Sequence, residues 1–383
     1  MTVELFDLAQ RLHAQRTGRP APRMVHAPVL RGTDPIAVAY QPRGGRPGLR
    51  IVGRGADAHV RPAGAVAVLS DLGIGPGAAP PTLVTAGSAA LRTLAAQRIQ
   101  DADVNMVVRW WERQAEFPVS VSVVDVVRAC GRRWVCGTSP EHDHDPGVWL
   151  DWLRVHGTGA QALFDLYDKV TVGTPLPVLR VMAEGEQFAW DDAVARFGDG
   201  LPTVAPRSAA ALELRLRCDA TDLLESGLMA DPLIRARYVH SGDVVHGTLA
   251  PVAAQTKNKV ERHVLESDRL ESRLRPGQGV VGWIGLPDGD TSRAAFTATI
   301  ESIGNRRGRL VLNLRTSRVT AQHAGARVTV MPTPVVAAMQ AHGRRVAESL
   351  RRRGSWLTTR KPPSRAGRNV PMEVVWAAAD TDV

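Results

Sequence analysis

Lysine is nearly missing from this chain: four Lys stand against 44 Arg among 383 residues. The bias accompanies abundant Ala and Gly and reads as the coding preference of a GC-rich genome, so Arg in place of Lys carries no functional weight by itself. Cysteine is scarce too, and three of them, an odd number, argue against a disulfide framework. No stretch approaches the roughly 18 uninterrupted apolar residues of a membrane span. The opening MTVELFDLAQRLHAQR has acidic residues and too short an apolar run for a signal peptide. A soluble, cytoplasmic protein that does not enter a membrane is expected. Also missing is any GK[ST], which excludes a P-loop. The glycines of GIGPGAAPP at 73–81 could face an anion, but prolines follow where the phosphate-binding helix would start. No GxSxG elbow, HExxH pair or kinase motif set occurs either.

Positive charge is abundant and unevenly placed. Residues 1–233 hold 24 basic and 26 acidic groups, residues 234–333 hold 15 and 8, and residues 334–383 hold 9 and 4, so the whole excess of the net +10 sits in the last 150 residues. Such asymmetry favours a polyanionic partner, nucleic acid first and an anionic membrane surface second.

The length exceeds what one hydrophobic core usually serves, and the patterning suggests a multidomain α+β protein of four regions. A small α+β domain is expected over 1–120, a mostly helical domain over 121–233, a small β-barrel over 234–333, and a basic helix with a flexible arm over 334–383. Leu5, Leu8 and Leu12 recur at helical spacing and predict an amphipathic opening helix. IAVAY (36–40) and LRIVG (49–53) read as strands, and residues 86–116 as a helix. That helix carries Trp110 and Trp111, of which only one can take the centre of a buried face, because neighbours point about 100° apart. Ser122 and Asp125 resemble a capping box, predicting a helix that Gly131 ends. VWLDWL, ALFDLYDKV, FAWDDAVARF and SAAALELRLRCDATDLLESGL then give helical signals over 146–230.

From about Ile234 the period changes. ARYVH, DVVHGTLAPV, KVERHVLES, GVVGWIGLP, AFTATIESI, RLVLNL and RVTVMP predict seven short strands divided by turn residues, hence a closed or partly closed barrel. The patterning resembles the oligonucleotide-binding (OB-like) and translation-factor-like types of small barrel. The likeness covers about a quarter of the chain, without a specific motif, and is a fold-level analogy.

Two sets of residues are candidates for function. The first is basic: Lys257 and Lys259 in QTKNK, Arg306, Arg307 and Arg309 in GNRRGR, and Arg344, Arg345, Arg351, Arg352, Arg353, Arg360, Lys361, Arg365 and Arg368 after the barrel. Arginines that neutralise phosphates release counterions and bind with little sequence preference. The barrel's flat side chains are only Trp283, Phe296 and Tyr238 at its edge, which favours backbone contact over base stacking. A non-catalytic nucleic-acid-binding subunit follows, with no cofactor and with a protein partner that supplies motor or nuclease activity. The second set lies in CGRRWVCGTSPEHDHDPGVWLDWL (130–153). Cys130, Cys136, His142 and His144 offer four zinc ligands, but at C-x5-C-x5-H-x-H, unlike the close pairs of familiar fingers. His142, Asp143, His144 and Asp145 offer the alternative of a metal-dependent hydrolase. A structural reading competes with both, in which Asp145 and Pro146 start a helix and the cysteines are small core residues. A protein–protein adaptor with a basic tail is the remaining alternative.

Overall fold

The computed structural model describes residues 5–53, 55–196, 201, 207–251, 261–287, 294–316 and 324–332. The chain divides into two compact units, Met1–Thr203 with Arg217–Val335, and Val204–Leu216 with Val336–Val383. The first unit holds the elements that concern function.

It opens with α1 (Leu5–Thr17), β1 (Ala21–Pro22), β2 (Ile36–Tyr40), β3 (Leu49–Gly53) and β4 (Ala56–Val60). Then come α2 (Pro62–Asp71), β5 (Leu83–Thr85), α3 (Ala89–Ala95), α4 (Ala102–Gln114), β6 (Val123–Asp125), α5 (Val126–Arg133) and β7 (Trp134–Val135). Four further helices follow: α6 (Pro146–Leu153), α7 (Gly159–Thr171), α8 (Val178–Arg196) and α9 (Arg207–Leu228), the last beginning in the second unit. Five strands form one mixed sheet in the order β4-β3-β2-β5-β6, antiparallel among β2, β3 and β4 and parallel from β2 through β5 to β6. Successive strand side chains point to opposite faces. Ile36, Val38, Leu49, Ile51 and Leu83 therefore meet α2, α3 and α4, while Ala37, Val84 and Val124 meet α5, α6 and α7. Residues on both sides of position 120 thus build one three-layer body.

Several local expectations are corrected. The helix expected over 86–116 is two: α3 ends at Ala95, and Asp101 starts α4 by accepting from Asp103 N and Val104 N. Both Trp110 and Trp111 are buried. Helix α4 lies between the sheet and α8, so directions 100° apart both meet protein: Trp111 Nε1 donates to Pro81 O, and Trp110 packs edge-on against Trp190 with ring centres 5.1 Å apart. Helix α5 starts on Asp125, not Ser122, and runs past Gly131. Ser122 instead bonds Glu186 and Trp110. The opening helix exists, but its leucine face points outward, with Leu5, Leu8 and Leu12 exposed and Arg11 buried.

Helix α10 (Pro232–Ser241) leads into the barrel. It contains ARYVH, expected as a strand. Asp231 caps it, Pro232 occupies its first position, and Gly242 ends it with φ of 88°. Six strands remain: β8 (Val245–Pro251), β9 (Glu261–Ser267), β10 (Gly279–Ile284), β11 (Phe296–Arg306), β12 (Arg309–Thr316) and β13 (Arg327–Pro332). They close into an antiparallel barrel in the order β10-β11-β12-β9-β8-β13. Strands β10, β11 and β12 are consecutive hairpins and β13 returns beside β10, a Greek key. Leu249, Leu265, Phe296, Ile300, Leu312, Leu314 and Val330 fill the interior.

Asp231 joins the two halves of this unit. Fully buried, it accepts from Val25 N at 2.8 Å and His26 N at 2.9 Å, meets His26 Nδ1 at 2.8 Å, and accepts from Leu233 N at 3.0 Å at the start of α10. Burial by itself raises a carboxyl pKa; the hydrogen bonds from His26 and Val25 outweigh it and hold Asp231 below the usual range. Asp231→Ala is expected to cost roughly 3 kcal/mol or more, read as a lower urea midpoint. Because the folded value is depressed, the contribution is complete above the unfolded value of about 4 and is lost as pH falls through the folded one. The wild type should therefore lose more stability than the variant on acidification in that window.

Candidate nucleic-acid interface

One side of the barrel is covered and the other is open. Val281, Trp283 and Met331 on β10 and β13 pack with Val244 against Tyr238 and Val239 of α10. The faces of β9, β12 and β11 carry the exposed charge. On β12 the inward set Leu310, Leu312 and Leu314 alternates with Arg309, Asn313 and Arg315, and on β9 the inward His263 and Leu265 flank the outward Arg262 and Val264.

Register brings like charges face to face at two places. Arg315 lies directly opposite Arg262, and Arg306 opposite Arg309. Like charges at directly opposed positions destabilise a ladder. Each pair is half compensated by a carboxylate of the barrel segment. Arg262 Nε lies 3.2 Å from Glu301, and Arg309 Nε lies 3.4 Å from Asp268. Arg306 and Arg315 have no ion pair among the described residues. Elsewhere on the barrel Arg273 lies 3.7 Å from Asp243, while Arg275 and Arg327 are exposed. Exposed pairs of this kind contribute only about 0–1 kcal/mol, so a phosphate could replace the carboxylate at little cost.

The turn between β11 and β12 adds a backbone observation. Arg307 has φ of 54° and Gly308 φ of 75°, and Asn305 Oδ1 accepts from Gly308 N at 3.1 Å. Two positive φ values make this a tight hairpin turn of the type that favours Asn-Gly. Arginine at the first position holds a conformation that costs of order 1 kcal/mol.

Of the expected basic residues, Arg306, Arg307 and Arg309 thus lie together. Lys257, Lys259, Arg344, Arg345, Arg351, Arg352, Arg353, Arg360, Lys361, Arg365 and Arg368 lie outside the described residues. The strand ends flanking Lys257 and Lys259, Pro251 and Glu261, are at the end of the barrel opposite the Arg306–Arg309 turn. The β12–β9 ladder runs from Leu310 opposite Ser267 to Thr316 opposite Glu261, which at roughly 3.3 Å per residue separates the ends by about 20 Å. Arg262 and Arg315 were not among the expected contacts. Their outward phase in alternating strands was the available signal, but their mutual opposition depends on register.

Trp283 and Phe296 are buried, 4% and 2% exposed, and Tyr238 packs in the α10 contact. None of the three offers a stacking surface on the open face.

The EHDHD loop is committed to structure. Arg11, itself buried, donates to both oxygens of Asp143 at 3.0 and 2.6 Å, to Thr138 O at 2.8 Å and to Asp7 at 2.9 Å. Asp145 caps α6 by accepting from Gly147 N at 2.8 Å, and Trp149 Nε1 donates to Asp143 O. Cys130 and Cys136 are buried in the core between the sheet and α5–α7. Burial pushes the Cys130 thiol up and holds Cys136 at about 12, so neither is a thiolate near neutral pH. His142 and His144 are exposed. Among the described residues no group of three or more His, Cys, Asp or Glu side chains could hold a metal ion. Neither the zinc set Cys130, Cys136, His142 and His144 nor the hydrolase set His142–Asp145 is assembled. The glycines of 73–77 border a pocket lined by Asp34 and Asp103 and, among the described residues, by no cationic side chain.

No helix among the described residues is long and apolar enough to cross a membrane. No family model matches the chain, and comparison with curated proteins and with solved structures finds no match.

Asp143→Ala leaves a buried guanidinium short of its partner and is expected to destabilise by about 3–5 kcal/mol. His144→Ala, on an exposed side chain, should stay within about 0.5 kcal/mol. Urea unfolding of the two variants compares them. Stoichiometric zinc that survives a chelator and is lost in Cys136→Ser would overturn the structural role of this loop.

Proposed function

We propose that this protein binds nucleic acid through the phosphate backbone, with little sequence preference, using the open face of the barrel. The observation that carries the proposal is the two pairs of opposed arginines, Arg262 with Arg315 and Arg306 with Arg309. A polyanion lying over them relieves the repulsion that each pair otherwise imposes on its ladder. Two further features support it. The barrel's flat side chains are buried, which suits backbone contact. Arg307 also occupies a turn position where asparagine or glycine would be more stable, as expected where contact with a ligand outweighs local conformation.

Of the two barrel types that the patterning resembles, six closed strands exceed the five of an oligonucleotide-binding fold, so the translation-factor type is the nearer analogy. The tail arginines belong to the same proposal, as does a protein partner that supplies motor or nuclease chemistry, since the sequence has no nucleotide-hydrolysing motif.

Anisotropy of labelled single- and double-stranded DNA and RNA between about 50 and 200 mM salt tests this reading. On duplex, each phosphate that the protein ceases to neutralise lowers the slope of log K against log salt by about 0.9, so Arg306→Ala/Arg307→Ala and Arg262→Ala/Arg315→Ala should each lower it by up to about 2. A chain ending at Thr333 should retain the barrel's share of the slope. Unchanged affinity and slope in both double variants would overturn the assignment of the open face. Arg307→Asn should raise the stability to unfolding by up to about 1 kcal/mol while weakening binding, a split read from urea titration and anisotropy on the same sample.

A further inference from the structure

A cleft of about 260 Å³ opens where β5 and β6 end. The two strands are parallel neighbours, with Thr85 beside Asp125, yet their connections part. From β5 the chain goes to α3 and α4 on one face of the sheet, and from β6 into α5 on the other. In α/β sheets the crevice outside the carboxyl ends of such strands is where ligands bind. Topology names a place, and the side chains there name a chemistry.

Arg128 and Arg132, one turn apart on α5, both line the cleft. Arg128 is exposed and Arg132 is partly buried, and neither has an ion pair among the described residues. One nitrogen of Arg132 donates to Pro118 O at 2.5 Å, which leaves most of its five N–H donors for other partners. Burial, followed by the neighbouring Arg128, pulls the Arg132 pKa down to about 10, against a smaller opposing effect of Asp125. Asp125, at the same cleft, commits one oxygen to capping α5 through Val127 N and Arg128 N. Gln114 is 7% exposed, lines the cleft, and makes no side-chain hydrogen bond to the described residues. Leu91, Phe117 and Val119 supply apolar walls.

From these residues we infer a binding site for a small phosphate monoester. Arg128 and Arg132 hold the phosphate oxygens, the Gln114 amide is a third polar contact, and the apolar walls take an organic part no larger than a single ring. Two adjacent guanidinium groups suit a phosphate monoester, which carries about −1.5 to −2, better than a carboxylate of charge −1. The volume lies below the roughly 300–1,000 Å³ of pockets for drug-sized ligands. The site uses none of the barrel residues.

Calorimetric titration and thermal unfolding of the full chain with phenyl phosphate, inorganic phosphate and benzoate test the inference. Phenyl phosphate should bind saturably and raise the unfolding temperature, inorganic phosphate should compete with it, and benzoate should bind at least about tenfold more weakly. Arg128→Gln, an exposed substitution that spares the core, should weaken phenyl phosphate about tenfold or more, as should Arg132→Gln and, to a smaller extent, Gln114→Leu. Arg306→Ala/Arg307→Ala should bind phenyl phosphate like the wild type, which separates this site from the barrel. Absence of saturable binding, benzoate binding as tightly as phenyl phosphate, or undiminished binding in Arg128→Gln would overturn it.

Discussion

A single buried carboxylate holds the architecture together. Asp231 receives the backbone of Val25 and His26 from the far end of the sequence and, with its other oxygen, the first amides of α10. An ionised group without water must be met by donors on every side, and here donors converge on it from the adjoining α10 and from His26, 205 residues away in the chain. The consequence is mechanical. Helix α10 is fixed at its start to the three-layer body, and its flank, through Tyr238 and Val239, fixes β10 and β13 of the barrel. Arg235 reinforces the joint by donating to Ala230 O at 3.0 Å and Pro287 O at 3.4 Å. Which side of the barrel is covered, and which is left open, descends from this contact.

Arginine serves three purposes in this molecule, and environment separates them. Arg11 and Arg235 are buried and met by oxygens, so they act as internal fasteners. The barrel arginines are exposed and oppose one another across strands, and in each opposed pair one member, Arg262 or Arg309, meets a carboxylate of the chain. Arg128 and Arg132 form a third case, one turn apart on one helix at the mouth of a crevice and without an ion pair among the described residues. Counting positive charge along the chain weights all of these equally. The net excess in the last 150 residues points to the second group and passes over the third, because residues 1–233 are close to neutral as a whole.

Local chemistry makes much of the fold legible. The barrel is visible because alternation with period two, broken by glycine-rich turns, needs no knowledge of partners. The Asp145–Pro146 helix start is visible because a cap and its proline act within three residues. ARYVH misleads because a five-residue apolar run fits either period; Asp231–Pro232 before it and Gly242 after it decide for helix. The break between Ala95 and Ala102 is hidden for a related reason, since apolar spacing continues across it although the chain leaves one helix at Ala96 and starts the next on the Asp101 cap.

Sequence by itself determined the element types wherever pattern and capping residues agreed, the closed barrel as a class, and the basic balance of its segment. Tertiary structure alone decided which face of α1 is buried, that both tryptophans of α4 are enclosed, that Asp143 and Asp145 are spent on Arg11 and α6, and that arginines oppose one another on the barrel. The division has a physical cause. Propensity, capping and period act over a few residues and are written in adjacent letters, whereas burial, register and charge pairing depend on which distant segment arrives opposite.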